Sequence, residues 1–350
     1  GSSRTGVDNK VCLECNADPE PIVIDTGLFL PLYVHLFTDP ATRKRWMLVS
    51  VALGSAYEDG SEIRLYELPR CELRGVMQRK DYCVTLSTNS TANQVVLGCM
   101  EGSLHVCSLE KESFDILQPL WSNSQKHSES ITAVSFSSDD KRLLSSAKDG
   151  TACVWSEGGA VFCAVTCDVT DPNKKAEEPK KRKYANAKIK KSTASNVVVR
   201  GSAFGDLSGT VFYTVASPRR GTAFLARWQL KDSKYICFHR TAVSPCPISA
   251  MSISQDWGLI VLGSCQGQVT LWDTQQWLPL RVFNEVHQLP VPCVAARPFP
   301  CRLQGEEDGV EIHARSASAD STIGCLTLQK AAPNLSFGDG DIECMRWMHR

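Results

Sequence analysis

The chain has 350 residues, with 38 basic and 38 acidic side chains, so its formal net charge at pH 7 is zero. A neutral chain has no overall field that attracts nucleic acid or a membrane surface, and an electrostatic partner must bind a local patch. No segment approaches the roughly 20 apolar residues of a membrane helix, and no apolar run follows a basic start as in a signal peptide. We therefore expect the chain as given to be soluble.

The first residues, Gly1-Ser2-Ser3, resemble an expression remnant. Cys12 and Cys15 form a CxxC motif, but no second CxxC and no paired histidines stand at zinc spacing, so we interpret them as two free thiols. The other cysteines that we consider lie within apolar runs, which is typical of small core residues in a reducing compartment. They are Cys71, Cys83, Cys99, Cys107, Cys153, Cys163 and Cys265.

Six segments of the chain repeat one pattern. Each has an apolar strand, a turn containing glycine or aspartate, and a second strand; the second strands are IRLYEL, LHVCSL, TACVWS, FLARWQL, VTLWDT and IGCLTLQ. Aligning these places the following residues in one register, 41 to 73 residues apart: Tyr66, Cys107, Trp155, Trp228, Trp272 and Thr327. The shorter spacings match the roughly 40 to 45 residues of a WD-repeat blade, and the longer ones indicate insertions.

This repetition predicts an all-β fold. Turns such as Asp149-Gly150 tolerate the positive φ that tight antiparallel hairpins need. A four-stranded blade cannot bury both of its faces alone, whereas blades packed face to face in a ring can. We therefore predict a single-domain WD-repeat β-propeller of six or seven four-stranded blades, in which the repeated tryptophans pack between blades.

The propeller is predicted to span residues 30–332. Residues 1–29 form an N-terminal segment, partly tag or a closing strand, and residues 333–350 form a C-terminal segment. A basic insertion at about 168–195 interrupts the repeats and cannot form a core, so we expect it to be disordered. The acidic segment 302–311 stretches the last repeat and is interpreted as a solvated loop.

The hairpin loop of the first unit is longer than the equivalent turns in units three and five. It comprises Gly54, Ser55, Ala56, Tyr57, Glu58, Asp59, Gly60 and Ser61. Its small residues let backbone carbonyls approach a ligand or an ion, while the tyrosine and the two acidic residues reach outward. An ordinary polar hairpin is the alternative interpretation.

The basic insertion supplies the one local patch of charge, with Lys180, Lys181, Arg182 and Lys183 at its centre. Such a run can bind anionic lipid, nucleic acid, an acidic protein face or a nuclear-import receptor, and a solvated loop without a partner is an equal alternative. No motif for catalysis is present: the sequence lacks GxSxG, HExxH and a P-loop, and its histidines do not cluster at ligand spacing.

Several stretches, in order, resemble one family, the endoplasmic-reticulum exchange factors for the COPII small GTPase, known in animals as the prolactin regulatory element-binding protein family. The resemblance spans most of the chain from Pro31 to Leu328. The stretches are Pro31-Leu32-Tyr33 with Leu36, Asp39-Pro40 and Thr42; Ala203-Phe204-Gly205 with Phe212-Tyr213-Thr214-Val215; Phe224-Leu225-Ala226-Arg227-Trp228; and Met251 through Leu262-Gly263 and Gly267 to Val269.

The resemblance implies a guanine nucleotide exchange factor on the cytosolic face of the endoplasmic reticulum. A membrane helix after residue 350 would anchor it, and the loop from Gly54 to Ser61 would engage the GTPase and hold a potassium ion on its backbone carbonyls. The family loop is longer, begins with several glycines and carries an asparagine, whereas this chain keeps Gly54 and Gly60. The family implies no other cofactor, no small-molecule substrate and no covalent chemistry.

Two other functions remain open at this stage. A non-enzymatic WD-repeat scaffold would assemble protein complexes, and its lysine-rich insertion would act as a nuclear-import signal, as an electrostatic contact or as a nucleic-acid tether, although the neutral chain makes nucleic acid the less expected partner. A propeller hydrolase is the third possibility, because such enzymes build their sites from residues distant in sequence.

Overall fold

The computed structural model shows an all-β chain. It describes residues 9–15, 18–27, 29–54, 59–111, 119–169, 197–297, 311–320, 322–329 and 344–345. Six antiparallel four-stranded sheets and one two-stranded hairpin are formed, and within every four-stranded sheet the strands are neighbours in chain order. The fold is therefore a β-propeller, which confirms the predicted fold class, and the described residues form six blades.

The chain divides into two compact units, and the first contains the hairpin and three blades. The hairpin strands are β1 (Asn9–Cys15) and β2 (Asp18–Gly27). Blade 1 has β3 (Pro31–Thr38), β4 (Arg45–Ala52), β5 (Ser61–Leu68) and β6 (Glu72–Arg79). Blade 2 has β7 (Cys83–Thr88), β8 (Gln94–Cys99), β9 (Leu104–Ser108) and β10 (Pro119–Asn123). Blade 3 has β11 (Ile131–Phe136), β12 (Arg142–Ala147), β13 (Thr151–Ser156) and β14 (Val161–Thr166).

The second unit contains three further blades. Blade 4 has β15 (Val197–Phe204), β16 (Val211–Pro218), β17 (Ala223–Lys231) and β18 (Lys234–Ser244). Blade 5 has β19 (Ile248–Ile253), β20 (Leu259–Ser264), β21 (Val269–Asp273) and β22 (Leu278–Phe283). Blade 6 has β23 (Cys293–Ala296), β24 (Glu311–Ala317), β25 (Ile323–Gln329) and β26 (Cys344–Met345).

The core of each unit lies between successive blades. Leu48 and Leu65 of blade 1 pack with Leu86 and Leu97 of blade 2, and all four side chains are fully buried or nearly so. Equivalent apolar layers join blade 2 to blade 3, blade 4 to blade 5, and blade 5 to blade 6. Burying one such leucine contributes roughly 1.5 to 3 kcal/mol, so these layers are the main source of stability within each unit.

The N-terminal hairpin covers blade 1. Val11 is buried against Met47, Val49 and Tyr66, while Ile24 of β2 packs at the edge of the same cluster. This face of blade 1 is opposite the one that packs on blade 2, because successive residues of a strand point to opposite faces. Residues 9–27 therefore extend the core of the first unit.

A buried network of polar side chains crosses blade 3. Ser145 Oγ accepts a hydrogen bond from Trp155 Nε1 at 2.8 Å and lies 2.8 Å from His127 Nε2, while His127 Nδ1 lies 3.3 Å from Asp149 Oδ2. Each polar atom has a partner, as buried polar groups require. In blade 4, Thr214 accepts from the indole of Trp228 at 2.9 Å in the same manner.

The hydrogen-bonded register corrects one part of the predicted alignment. Trp155 pairs with Leu143, which lies two residues before Ser145 in the chain. In blade 6, Ala314 lies two residues before Ser316, and Ala314 pairs with Leu326. Leu326 is buried and Thr327 is only partly so. The alignment of Thr327 with Trp155 was therefore wrong by one residue, which places a side chain on the opposite face of the strand.

Replacing Ser145 by alanine is expected to destabilise the protein by about 2 to 4 kcal/mol. Trp155 Nε1 and His127 Nε2 would both lose a buried partner, at a cost of about 1 to 3 kcal/mol each. The matched control is Ser135→Ala, because the Ser135 hydroxyl is buried without a partner among the described residues. Chemical denaturation of both variants should show a large shift for Ser145 and almost none for Ser135; equal shifts would contradict the network's role.

The same network predicts a loss of stability in acid. Burial raises the pKa of Asp149, but hydrogen bonds from His127, Thr151 and Ser128 outweigh it and lower the pKa from 3.8 to about 2. The ionised carboxylate therefore contributes stability above about pH 4, and this contribution of about 2 kcal/mol disappears as the pH falls to about 2. Denaturation midpoints measured between pH 6 and pH 2 should fall less steeply for Asp149→Asn, and an unchanged slope would refute the assignment.

Candidate functional site

The candidate site lies at the end of blades 1 and 2 where β4 and β5 are joined. Of the predicted loop from Gly54 to Ser61, the structure describes Gly54, Asp59, Gly60 and Ser61. Ser55, Ala56, Tyr57 and Glu58 lie outside the described residues, as do Lys180, Lys181, Arg182 and Lys183 of the basic insertion and residues 302–310 of the acidic segment. We call residues 54–61 the blade-1 loop.

Gly60 is required where the loop rejoins the sheet. Its φ is +76°, and a Cβ at this position would overlap the carbonyl oxygen of Arg79. The Gly60 carbonyl accepts a hydrogen bond from the N–H of Leu53 at 3.1 Å. At the other end of the loop, the Asp59 carboxylate lies directly against Gly54, where any larger side chain would collide with it. The two glycines thus bring the ends of the loop together.

Ser61 fixes the loop to the connection between blades 1 and 2. Its hydroxyl donates to the Asp81 carbonyl at 2.7 Å and accepts from the N–H of Cys83 at 3.0 Å. The Ser61 residue is fully buried. The end of the loop that enters β5 is therefore held by two hydrogen bonds of Ser61, beside the close packing of Gly60 on the backbone of Arg79.

The predicted potassium ion would need several backbone carbonyls pointing into the loop. Among the described carbonyls, that of Gly60 is turned back to Leu53 and so already has a donor. The carbonyls of residues 55–58 lie outside the described part of the chain. Potassium binding stays a prediction from the resemblance.

Three metal-ligating side chains meet beside the blade-1 loop. Asp81 lies between β6 and β7, Cys99 ends β8, and His105 is on β9, and their ligand atoms all lie within 4.8 Å of one another. His105 Nε2 is 3.1 Å from Asp81 Oδ2, and its Nδ1 is 2.8 Å from Ser122 Oγ on β10. We call Asp81, Cys99 and His105 the rim cluster.

The cysteines in and beside the rim cluster have shifted pKa values. Hydrogen bonding from the Cys83 thiol lowers the pKa of Cys99 to about 6 despite burial, and His105 and Ser103 act in the same direction. The same interaction, together with burial, raises the pKa of Cys83. Both side chains are buried, as the sequence predicted for core residues, but Cys99 also faces the polar groups of the rim. Sequence spacing gave no signal of this, because the ligands come from three separate segments.

A polar groove occupies the opposite end of blades 1 and 2. Its volume is about 750 Å³, and it is lined by charged side chains that pair with one another. Glu67 binds Lys44 at 2.7 Å and Arg74 at 2.6 Å, and Asp39 binds Lys111 at 3.0 Å. Because its acidic and basic groups are matched, the groove has no excess of either charge with which to select an ionic ligand.

Comparison with known families matches one repeat of the chain. The family described as "WD domain, G-beta repeat" matches residues 119–156, which cover β10 to β13 and include the polar network of Ser145 and Trp155. A comparison with curated proteins found no match. The chain thus contains a WD repeat and is a propeller of this type, a fold that is typically non-catalytic and supports a role as protein-interaction scaffold or adaptor.

Gly60→Ala is expected to destabilise the protein by about 1 to 3 kcal/mol, because alanine strains the backbone at positive φ and its Cβ would collide with Arg79. Gly158→Ala is the matched control: it has open space around it, so its effect should stay within about 0.5 kcal/mol. Thermal and chemical denaturation measure both variants. A Gly60→Ala variant as stable as the control would show that the loop end is not constrained as described.

No described helix has the length and hydropathy that crossing a membrane requires.

Proposed function

We propose that this propeller is a guanine nucleotide exchange factor for the small GTPase of the COPII coat, and that the blade-1 loop is the element that engages the GTPase. The resemblance from Pro31 to Leu328 supports this function. The observation that carries the proposal is the fixation of the loop's ends: the N–H of Leu53 donates to the Gly60 carbonyl, and the Ser61 hydroxyl bonds the backbone of Asp81 and Cys83. A loop held at its ends loses less conformational entropy on binding a partner.

Exchange requires a difference in affinity and no covalent step. The factor must bind the nucleotide-free GTPase more tightly than the GDP-bound form, since equal binding would shift nothing. In our proposal the loop approaches the nucleotide-contacting segments of the GTPase, and Glu58 or Asp59 competes with phosphate for the pocket lysine or for magnesium. The propeller surface around the loop would provide the remaining contact area.

The acidic and aromatic residues of the loop have different roles in this proposal. Asp59 lies against Gly54, so it contributes to the shape of the loop as well as to its charge. Tyr57 and Glu58 are then proposed to act by touching the GTPase, whereas Asp59 acts through the shape of the loop in addition to any contact. A substitution at Asp59 alone should weaken exchange through loop shape, whereas substitutions at Tyr57 and Glu58 should remove contacts directly.

The proposed location follows from the same family. The protein would act on the cytosolic face of the endoplasmic reticulum and be held there by a membrane helix beyond residue 350. The potassium ion of the family would sit on loop carbonyls and add rigidity to the loop. The basic residues Lys180 to Lys183 would add an electrostatic contact with the GTPase or with anionic lipid.

GDP release from the COPII GTPase tests the proposal. We expect the wild-type chain to accelerate release of a fluorescent GDP analogue, and we expect the variant Tyr57→Ala, Glu58→Ala, Asp59→Ala to lose at least about 10-fold of that acceleration, equivalent to about 1.4 kcal/mol. The matched control is Arg70→Ala with Glu72→Ala, two exposed residues at the opposite end of blade 1.

Each outcome of the release experiment has a defined meaning. A control variant that is as impaired as the loop variant would place the GTPase elsewhere on the propeller. If the folded wild-type protein gives no acceleration at any concentration, the exchange function is refuted and the scaffold function remains. A nucleic-acid tether would then be recognised by binding that falls steeply with salt and depends on Lys180 to Lys183.

A further inference from the structure

We propose that Asp81, Cys99 and His105 form a binding site for a divalent transition-metal ion of the zinc class, with a fourth position open to water or to a partner's ligand. The site is independent of the proposed exchange function. Its three ligands are a thiolate, an imidazole and a carboxylate, which is a set that Zn²⁺ accepts. Zinc is also found with three protein ligands and a fourth position that holds water or substrate.

The distances suit one tetrahedral ion. His105 Nε2 and Asp81 Oδ2 are 3.1 Å apart. Two ligands at the usual zinc distances stand roughly 3.3 Å apart across a tetrahedral angle. The Cys99 sulfur completes a set whose ligand atoms all lie within 4.8 Å of one another, so small side-chain rotations bring all three onto one ion.

The surrounding side chains orient the ligands as metal sites require. Ser122 lies 2.8 Å from His105 Nδ1, and in the tautomer that donates to this hydroxyl the lone pair of Nε2 faces Asp81 and Cys99. Metal-bound histidines usually donate their other ring nitrogen to such a partner, which fixes both tautomer and ring orientation. Cys83 pairs with Cys99 across β7 and β8, which places a second thiol next to the proposed sulfur ligand.

The three ligands differ in how far they are exposed, and this difference suits a metal site. Cys99 is 1% exposed, whereas the side chains of His105 and Asp81 are 14% and 36% exposed. The ion would therefore sit near the surface, with its sulfur ligand protected and its open position on the side of the partly exposed Asp81. The Asp81 carbonyl meanwhile accepts from Ser61, so an ion on the carboxylate would restrain the segment that holds the blade-1 loop.

Arg79 competes with a metal ion for the Asp81 carboxylate. Its Nη2 lies 3.3 Å from the same Asp81 oxygen that faces His105. A metal ion must share this carboxylate with the guanidinium or displace it. Removing the guanidinium should therefore strengthen metal binding, whereas an ion-pair cluster that holds no metal would give no such gain.

Cobalt spectroscopy of the metal-depleted full-length chain, in the presence of a non-thiol reductant, tests the site. We expect one Co²⁺ per chain, with thiolate-to-cobalt charge transfer and intense tetrahedral bands, and displacement of the cobalt by Zn²⁺. Cys99→Ser should remove the charge transfer, and His105→Gln should weaken binding by roughly 100-fold. Ser122→Ala should weaken it by roughly 10-fold, as the loss of an orienting partner does elsewhere. Arg79→Gln should strengthen it.

The control removes the two thiols of the CxxC motif. A chain with Cys12→Ser and Cys15→Ser loses the CxxC of the N-terminal hairpin and should bind Co²⁺ as the wild type does. Circular dichroism confirms that each variant is folded, and Ser122→Ala and His105→Gln keep the test valid if Cys99→Ser does not fold. The proposal is overturned if cobalt binds without sulfur charge transfer, if His105→Gln binds normally, or if intact mass shows a Cys83–Cys99 disulfide in the purified protein.

Discussion

The second strands of blades 1 to 5 are buried on both faces, and this constraint governs the rest of the structure. All of β20 is buried, as are seven of the eight residues of β4 and of β16. Apolar residues therefore follow one another along these strands without alternation, and any polar atom among them must find its partner within the blade. Ser145 and Thr214 meet that need for two tryptophans. In blade 5, Leu262 occupies the position equivalent to Ser145, and the indole N–H of Trp272 has no partner among the described residues.

Polar groups that can bind a partner or an ion therefore lie at the ends of the strands. In the first unit, the blade-1 loop and the rim cluster lie at the same end of blades 1 and 2, joined by the hydrogen bond from Ser61 to Asp81. Gly60 is needed for this arrangement because there is no space for a side chain at its position, and a glycine loses more conformational entropy on folding than any other residue. The opposite end of these blades has a larger groove, but its charges neutralise one another. Volume alone would have selected the groove, whereas the meeting of a thiol, an imidazole and a carboxylate selects the rim cluster.

Much of the fold could be predicted from the sequence because each repeat has its own turn and its own apolar strands. The predicted segments TACVWS and IGCLTLQ coincide with β13 and β25. Thr327 was misaligned because side chains alternate along a strand, so an error of one residue selects the wrong face without changing the composition of the segment. The rim cluster could not be predicted, since Asp81, Cys99 and His105 become neighbours only through the pairing of β7, β8 and β9. Its cysteine is indistinguishable in sequence from a core residue.

The fold does not choose between an exchange factor and a scaffold, because propellers of this type host many functions. The two functions differ in where specificity must lie. A scaffold can use any broad face of its blades, whereas exchange needs a fixed element that enters the partner's nucleotide pocket, and the blade-1 loop has fixed ends of this kind. The rim cluster meets the same segment through Asp81, whose carbonyl holds Ser61 and whose carboxylate faces His105. A bound metal would therefore act on the loop through the segment from Asp81 to Cys83, because the Asp81 carbonyl and the Cys83 N–H both hold Ser61. The loop's contacts and the metal's ligands can be altered separately on either side of this segment.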